Sequence, residues 1–403
     1  MVRIKIIWIC SFANNEIQNI IGSEMSFFAS PWITDLIELF RDKDDIELFI
    51  ISPNYYSNDN KFFKLGNIEV HLTQYRRSFI PAKTYNFTIN YNTATNAILK
   101  VVDLIKPDLI HLHGSENPLY SSSILPLLNK YPVLITIQGF VSLSSKPKNI
   151  ISQYIRWNRI RHERMINEKA KYFTVATSDV RKNLLNFNKN AIMYDDHYPT
   201  TKPDIFSTDF PIKKFDIVYY ARISKDKGIE DLIVALKEIK KVRPTISAII
   251  IGGGTPSYLA YIKSMIISLG VEDNFTFAGF QPTQQDVFKL AVQASIYVLP
   301  THFDGIPGTI RESMFMKIPV IAYAVGGIPT LNDNNECLTL VEKENISDLV
   351  AKILLVLNNK ERTQLLVNNA YNLINEKFDN NKIYTNLISI YRDILAVHEA
   401  NKV

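Results

Sequence analysis

The sequence predicts an α/β protein made of two mostly parallel sheets, each covered by helices on both faces. Three observations carry this. Short apolar runs alternate with helix-patterned segments in two successive series. A Pro-containing stretch, Tyr198–Pro211, separates the series. At 403 residues the chain exceeds what one hydrophobic core usually serves. The expectation is two Rossmann-like βαβ domains facing each other across a cleft, at 1–200 (joined by a C-terminal helix, 380–403) and 201–379.

In the first series, strands are expected at Ile4–Ile9, Ile46–Ile51, Ile68–Leu72, Leu109–His113, Val133–Ile137 and Tyr172–Val175. Each is a short run dominated by apolar residues, as a strand buried on both faces must be. The opening MVRIKIIWICSF has a faint likeness to a signal peptide. It lacks a small-residue cleavage site and reads instead as the first strand. Helices are expected at Ala94–Ile105 and Ile150–Glu168. The second series has strands at Asp216–Tyr220, Ile246–Ile251, Phe275–Ala278, Ile296–Leu299, Ile318–Ala322 and Cys337–Leu340. Its helix Ile229–Val242 carries apolar residues at 229, 232, 233, 236 and 239, one buried stripe. The tail Lys377–Val403 is helical in pattern.

Composition narrows the function classes. With 46% hydrophobic and 21% charged residues the chain can bury a large core. Two cysteines, Cys10 and Cys337, exclude a disulfide framework and point to a reducing compartment. No apolar run approaches the roughly 18 residues of a spanning helix. A net charge of +5 is too mild to imply nucleic acid, though it suits an anionic membrane surface. Metal-ligand spacing and nucleophile-elbow motifs are both missing. Asp195, Asp196 and His197 read as a solvated turn or a divalent-cation cluster.

The most informative stretch is IYVLPTHFDGIPGTIRESMFMKIPVIAYAVGGIPT, 296–330. It reads as strand, Gly/Pro loop, helix, strand, so its loops lie at a ligand-binding strand end. Asp304 stands at the loop's start and Glu312 in the first turn of the helix. Gly305 and Gly308 allow close backbone approach. The amides of Gly308 to Ile310 would form an anion site at the helix start. Glu312 also fits a capping box with Thr309, and Asp304 an Asx-turn; both would be structural roles. In YYARISKDKG, Arg222 and Lys227 flank a loop at another strand end. They either bind phosphate oxygens or serve as loop cations, Arg222 pairing with Asp226. IIIGGGTP, 249–256, reads as tight backbone passage. His113 and Gln138 end two strands of the first series and could contact hydroxyls.

In order, ARISKDKG, IIIGGGTP, FTFAGF and FDGIPGTIRESMFMKIPVIAYAVGGIP resemble the C-terminal half of glycosyltransferase family 4, retaining enzymes of the GT-B fold. The resemblance is specific across Phe215–Pro329. It is looser over IHLHGS and PVLITIQGF in the first half. It implies that Arg222 and Lys227 hold the donor diphosphate and that Glu312 binds the nucleotide ribose. Asp304, where the family has Glu, would meet the transferred sugar. Gly305, Ile306, Pro307, Gly308 and Thr309 would contact sugar and phosphate, while Gly279, Phe280 and Gln281 receive the base. His113 and Gln138 would face acceptor and sugar, Gln138 replacing a family His. The implied donor is a UDP- or GDP-sugar, with no metal or other cofactor.

The resemblance therefore implies a bacterial enzyme extending a glycan or lipid-linked glycan of capsule, O-antigen or exopolysaccharide. It would be cytoplasmic, peripheral on the inner membrane face. Arg156, Arg159, Arg161, Arg164 and Lys169 with Tyr154 and Trp157, and Arg76, Arg77 and Lys83 among aromatics, could dock it there. A solvated helix face paired with Glu163 and Glu168 is the competing account. Rival functions are a soluble enzyme with a small-molecule acceptor and a non-catalytic glycan-binding subunit.

Overall fold

The computed structural model describes residues 3–24, 31–76, 91–143, 147, 149–204 and 212–400. The chain divides into two compact units, Met1–Pro199 with Asn380–Val403, and Thr200–Asp379. Residues 205–211 of the expected linker, and Arg77 and Lys83, lie outside the described residues.

The first unit contains β1 (Ile4–Ile9), β2 (Ile46–Pro53), β3 (Lys61–Leu65), β4 (Ile68–Thr73), β5 (Leu109–His113), β6 (Val133–Thr136), β7 (Tyr172–Val175) and β8 (Ile192–Asp195). They form one sheet in the order β3-β4-β2-β1-β5-β6-β7-β8. All pairings are parallel except β3 with β4. The six expected strands are present within one or two residues. The two edge strands, β3 and β8, are additions that an apolar-run criterion passes over. In β3, Lys61, Phe62 and Lys64 are exposed, and in β8 Ile192 and Asp195 are. An edge needs less apolar sequence because one side and part of its faces meet water.

Helix Asn380–Ala400 returns to this unit and buries Ile383, Leu387, Ile390 and Ile394 in its core. The Tyr391 hydroxyl accepts the Trp8 indole N–H (2.8 Å) and lies 2.7 Å from His111 Nδ1. The Asn386 amide donates to the Asp195 carbonyl and the Asp196 carboxylate, both at 3.0 Å. Asp195 also pairs with Arg181 at 2.7 Å. The Asp195 carbonyl and the Asp196 carboxylate thus tether the returning helix, while the Asp195 carboxylate itself stays 82% exposed, as the solvated reading has it.

The second unit contains β9 (Phe215–Tyr220), β10 (Ala248–Ile251), β11 (Phe275–Gly279), β12 (Ala294–Leu299), β13 (Val320–Tyr323) and β14 (Thr339–Val341). They run parallel in the order β11-β10-β9-β12-β13-β14. Helix Ile229–Lys240 buries the expected stripe, Ile229, Leu232, Ile233, Leu236 and Ile239, against this sheet. In both sheets the chain works outward from a central strand, then returns on its other side. The reversals fall between β1 and β5 and between β9 and β12. Strand ends diverge there and leave a crevice, the usual ligand position in such sheets.

Candidate functional site

Two loops border the β9/β12 crevice. The β9 loop carries Arg222 and Lys227 and leads into helix Ile229–Lys240. Tyr219, buried at the strand end, donates its hydroxyl toward the carbonyls of Arg222 (3.4 Å) and Lys227 (3.3 Å), which holds this turn. The loop closes on its neighbour through Gly228, at φ 72°, where a Cβ would sit 1.8 Å from the Pro300 carbonyl oxygen. Glycine is required there on both counts. The His302 amide (2.8 Å) and the Thr301 hydroxyl (3.1 Å) both donate to the Asp226 carbonyl along the same seam. Beyond, Gly326 at φ 53° brings its backbone against Asp304, its own Cβ position being 1.7 Å from the Asp304 carbonyl oxygen. The Gly327 amide donates to the Gly305 carbonyl at 3.1 Å. Behind the β9 loop lies the IIIGGG turn, with the Ile223 amide on the Gly253 carbonyl (2.8 Å), the tight passage expected of it.

Within this frame Lys227 Nζ lies 2.5 Å from Asp304 Oδ2, each side chain being about 20% exposed. Lys227 is therefore no solvated loop cation, and Asp304 is occupied by more than an Asx-turn. Arg222 is different. Its side chain is 68% exposed, with Nη2 on Asp226 (3.0 Å) and Nε on Ser224 (3.2 Å). That is the structural pairing left open by the sequence. Each cation already rests on a carboxylate, so an arriving anion must exchange with one.

The β12 loop ends in helix Gly308–Phe315, with Pro307 at the cap position and no side chain capping it. This overturns the capping-box account of Thr309 and Glu312. Thr309 lies inside the helix, and its hydroxyl accepts from Tyr297 Oη at 2.7 Å. Glu312 falls just past the first turn instead of within it, buried, accepting a hydrogen bond from Gln284 Nε2 at 2.8 Å. No acidic residue occupies the first turn. The first amides, from Gly308 to Ile310, thus present a positive helix end that no side chain caps, with the Glu312 carboxylate 3.7 Å from the Cβ position of Gly308.

Two buried tyrosines grip this helix. Tyr220 Oη donates to the Thr309 carbonyl (2.7 Å) and lies 2.6 Å from Ser313 Oγ. Tyr297 adds its bond to Thr309 Oγ1, and the two rings pack 4.5 Å apart. Burial raises both phenols far above their ordinary range, so they stay protonated donors. Sequence reasoning missed Tyr219, Tyr220 and Tyr297. The available signal was a phenol within a buried strand, because a buried Tyr hydroxyl needs a partner.

The other expected residues are placed as follows. Gly279 ends β11 at φ 72°, and Gln281 folds its amide back onto the Ala278 carbonyl (2.8 Å). Phe280 is 69% exposed, beside Gly253. Ile306 packs on the core. His113 ends β5 in the first unit, fully buried 3.8 Å from the His111 ring and 4.7 Å from Trp8. Burial pushes its pKa down to about 3, so it carries no charge at neutral pH. Neither of its ring nitrogens, nor Gln138 Nε2, has a hydrogen-bond partner among the described residues. Glu116, just beyond, has a carboxyl that burial pushes up to about 7, with Oε2 unpartnered among the described residues.

Helix Ile150–Lys169 presents Ile150, Ile151, Trp157, Arg161 and Arg164 to solvent. Arg164 pairs with Glu168 at 2.6 Å as the solvated-face account requires. Glu163 departs from that account, turning inward to accept the Val141 amide at 3.0 Å. Arg159 Nε and Arg156 Nη2 donate to the carbonyls of Glu116 (2.9 Å) and Ser142 (2.8 Å). No helix among the described residues is long and apolar enough to cross a membrane.

Two family models match the chain, "Glycosyl transferases group 1" over residues 201–373 and "Glycosyl transferase 4-like" over 21–169. Among curated proteins, the capsular polysaccharide biosynthesis glycosyltransferase CapM of Staphylococcus aureus is 27% identical over 192 residues, 46% of this chain and 48% of CapM. The chain thus spans about half the length of that relative. The 2-deoxystreptamine N-acetyl-D-glucosaminyltransferase of Niallia circulans is 22% identical over 311 residues, 72% of this chain and 78% of that protein. Among solved structures, sucrose-phosphate synthase from Thermosynechococcus elongatus superposes with a TM-score of 0.76 at 18% identity, covering 98% of this chain and 100% of that one. HepE of Anabaena, in complex with UDP and glucose, gives 0.70 at 15% identity, covering 97% and 100%. At such identities the superpositions establish the fold.

Proposed function

Because this chain belongs to the glycosyltransferases of the GT-B, family-4 type, we propose that it transfers a sugar, with retention, from a UDP- or GDP-sugar to a glycan or lipid-linked glycan of a surface polysaccharide. The observation that carries the proposal is the uncapped N-terminus of helix Gly308–Phe315 in the crevice that also holds Lys227. HepE, bound to UDP and glucose, lends support to the donor class. CapM lends it to the polysaccharide setting.

In this reading the diphosphate sits on the amides of Gly308 to Ile310. It draws Lys227 from Asp304 and Arg222 from Asp226, two exchanges of one anion for another. The Arg222 pair is exposed and costs little to break. The sugar–phosphate bond breaks, leaving charge on the diphosphate that the cations and amides stabilise without a metal. The acceptor oxygen bonds to the anomeric carbon on the face the phosphate leaves, and its proton passes to the departing phosphate oxygen. No side-chain base is needed. Asp304, released from Lys227, holds the sugar's hydroxyls, and Glu312 the ribose.

The small-molecule rival draws support from the Niallia relative, whose name specifies 2-deoxystreptamine. A thermal-shift panel of UDP-, GDP- and ADP-sugars, followed by donor hydrolysis without acceptor, tests the proposal. Stabilisation by one donor and its slow hydrolysis are expected. No response to any donor would leave only the glycan-binding subunit. We further propose peripheral attachment to the inner membrane face through Ile150, Ile151, Trp157, Arg161 and Arg164. Co-sedimentation with anionic but not neutral liposomes is the expected result, and protein wholly in the supernatant would refute it.

A further inference from the structure

In the first unit, β3, β4 and helix Asn92–Ile105 enclose an open cavity of about 670 Å³. Lys61 and Lys100 stand on its wall with the amides of Gln74 and Asn96, and its lining contains no carboxylate among the described residues. Phe62 is 57% exposed and faces His71 across the β3–β4 ladder, the ring centroids 4.9 Å apart. His71 Nε2 is buried with no hydrogen-bond partner among the described residues. Burial, opposed by the nearby Glu69, lowers the His71 pKa, so the ring is neutral at pH 7 and offers a hydrogen bond rather than a charge. Positive potential comes from the two lysines. Lys61 pairs with Asp59 at 3.0 Å, both exposed, a contact that exchanges at little cost. Lys100 has no ion-pair partner among the described residues.

A flat exposed ring, two side-chain amides, Gln74's being already on the Arg76 carbonyl, and two ammonium groups, of which Lys100's has no ion-pair partner among the described residues, are complementary to a sugar ring that bears an anion. The apolar C–H face stacks on the aromatic, the hydroxyls meet amides and imidazole, and the anion meets lysine. We propose that this cavity binds an acidic saccharide segment, stacked on Phe62 and held by Lys61 and Lys100. Thr73 ends β4 and Asn92 begins the helix at the edge where β1 and β5 also end. A glycan entering the β1/β5 crevice can therefore extend along that edge into the cavity. The inference rests on the proposed glycan acceptor, and it assigns a site for residues of that acceptor remote from the reacting end.

Calorimetry with the full chain tests it, using hexagalacturonate as probe, with maltohexaose and hexaglutamate as controls. Hexagalacturonate should bind at least tenfold more tightly than either control. Phe62→Ala and Lys100→Ala should each weaken it at least tenfold with unchanged melting temperature, both side chains being exposed. Equal binding of hexaglutamate, insensitivity to both variants, or no binding of hexagalacturonate would overturn the proposal. The donor panel fails separately. If no nucleotide sugar binds but the uronate still depends on Phe62, the transferase reading falls and this site stands.

Discussion

Replacing Asp304 by Asn should move donor-fragment binding and turnover in opposite directions. Asp304 Oδ2 is 2.5 Å from Lys227 Nζ and 3.4 Å from Thr301 Oγ1, and both members of the ion pair are about 20% exposed. Fully exposed pairs contribute about 0.2–1 kcal/mol, while breaking buried ones costs about 3–5 kcal/mol. This pair lies between, so Asp304→Asn should destabilise the fold by about 1–2 kcal/mol. A nucleoside diphosphate must displace the same carboxylate to reach Lys227. Removing that competition should tighten UDP or GDP by about 1 kcal/mol, roughly fivefold. Turnover should meanwhile drop by at least about tenfold, because the amide no longer accepts hydrogen bonds from the sugar at both atoms. Calorimetry with the bare nucleotide and initial-rate kinetics with the full donor read the two effects. Weaker UDP and GDP binding in Asp304→Asn would refute competition for Lys227, and with it the ion-exchange account of the site.

Other outcomes follow from the same geometry. Gly228→Ala and Gly326→Ala place a Cβ 1.8 Å and 1.7 Å from carbonyl oxygens and should cost more than about 3 kcal/mol in urea unfolding. Gly270→Ala, at φ 67° with nothing near its Cβ position, should cost only about 1 kcal/mol. Tyr220→Phe removes two contacts on helix Gly308–Phe315 and should cost about 1–2 kcal/mol. It should raise the donor KM severalfold, and an unchanged KM would show that the helix needs no such grip. Glu116 has a carboxyl pKa raised by burial to about 7 from 4.5. Folding therefore favours its protonated form, and its contribution is present below pH 4.5 and lost as pH rises toward 7. Glu116→Gln should be more stable than wild type at pH 8, by about 2 kcal/mol, with the difference vanishing near pH 4.

The βα alternation was legible because a strand covered on both faces has no polar side to hide. Its apolar run is the whole strand, so β1, β5, β7, β9 and β12 could be read within one or two residues. The edges β3 and β8 were not, since exposure lets Lys and Asp into the pattern. At the site, local sequence located the loops of Arg222, Lys227, Asp304 and Gly308. It could not say which charges meet. Lys227 and Asp304 are 77 residues apart and come together only because β9 and β12 are neighbours in the sheet. Arg222 and Asp226 share one short turn, so their pairing could be foreseen from spacing alone.

The capping-box signature Thr309-x-x-Glu312 shows the limit from the other side. Its local spacing was correct, yet Tyr297 takes the Thr309 hydroxyl and Gln284 takes the Glu312 carboxylate, both from other elements. The residue order by itself determined two parallel α/β units, their strand ends, and which glycines and ionisable groups lie on the loops between. Only the tertiary structure decided the partners of those groups and left the Gly308 helix end without a side-chain cap. Hydrophobic periodicity is a property of consecutive residues, whereas the partner of a charge depends on which strands lie side by side.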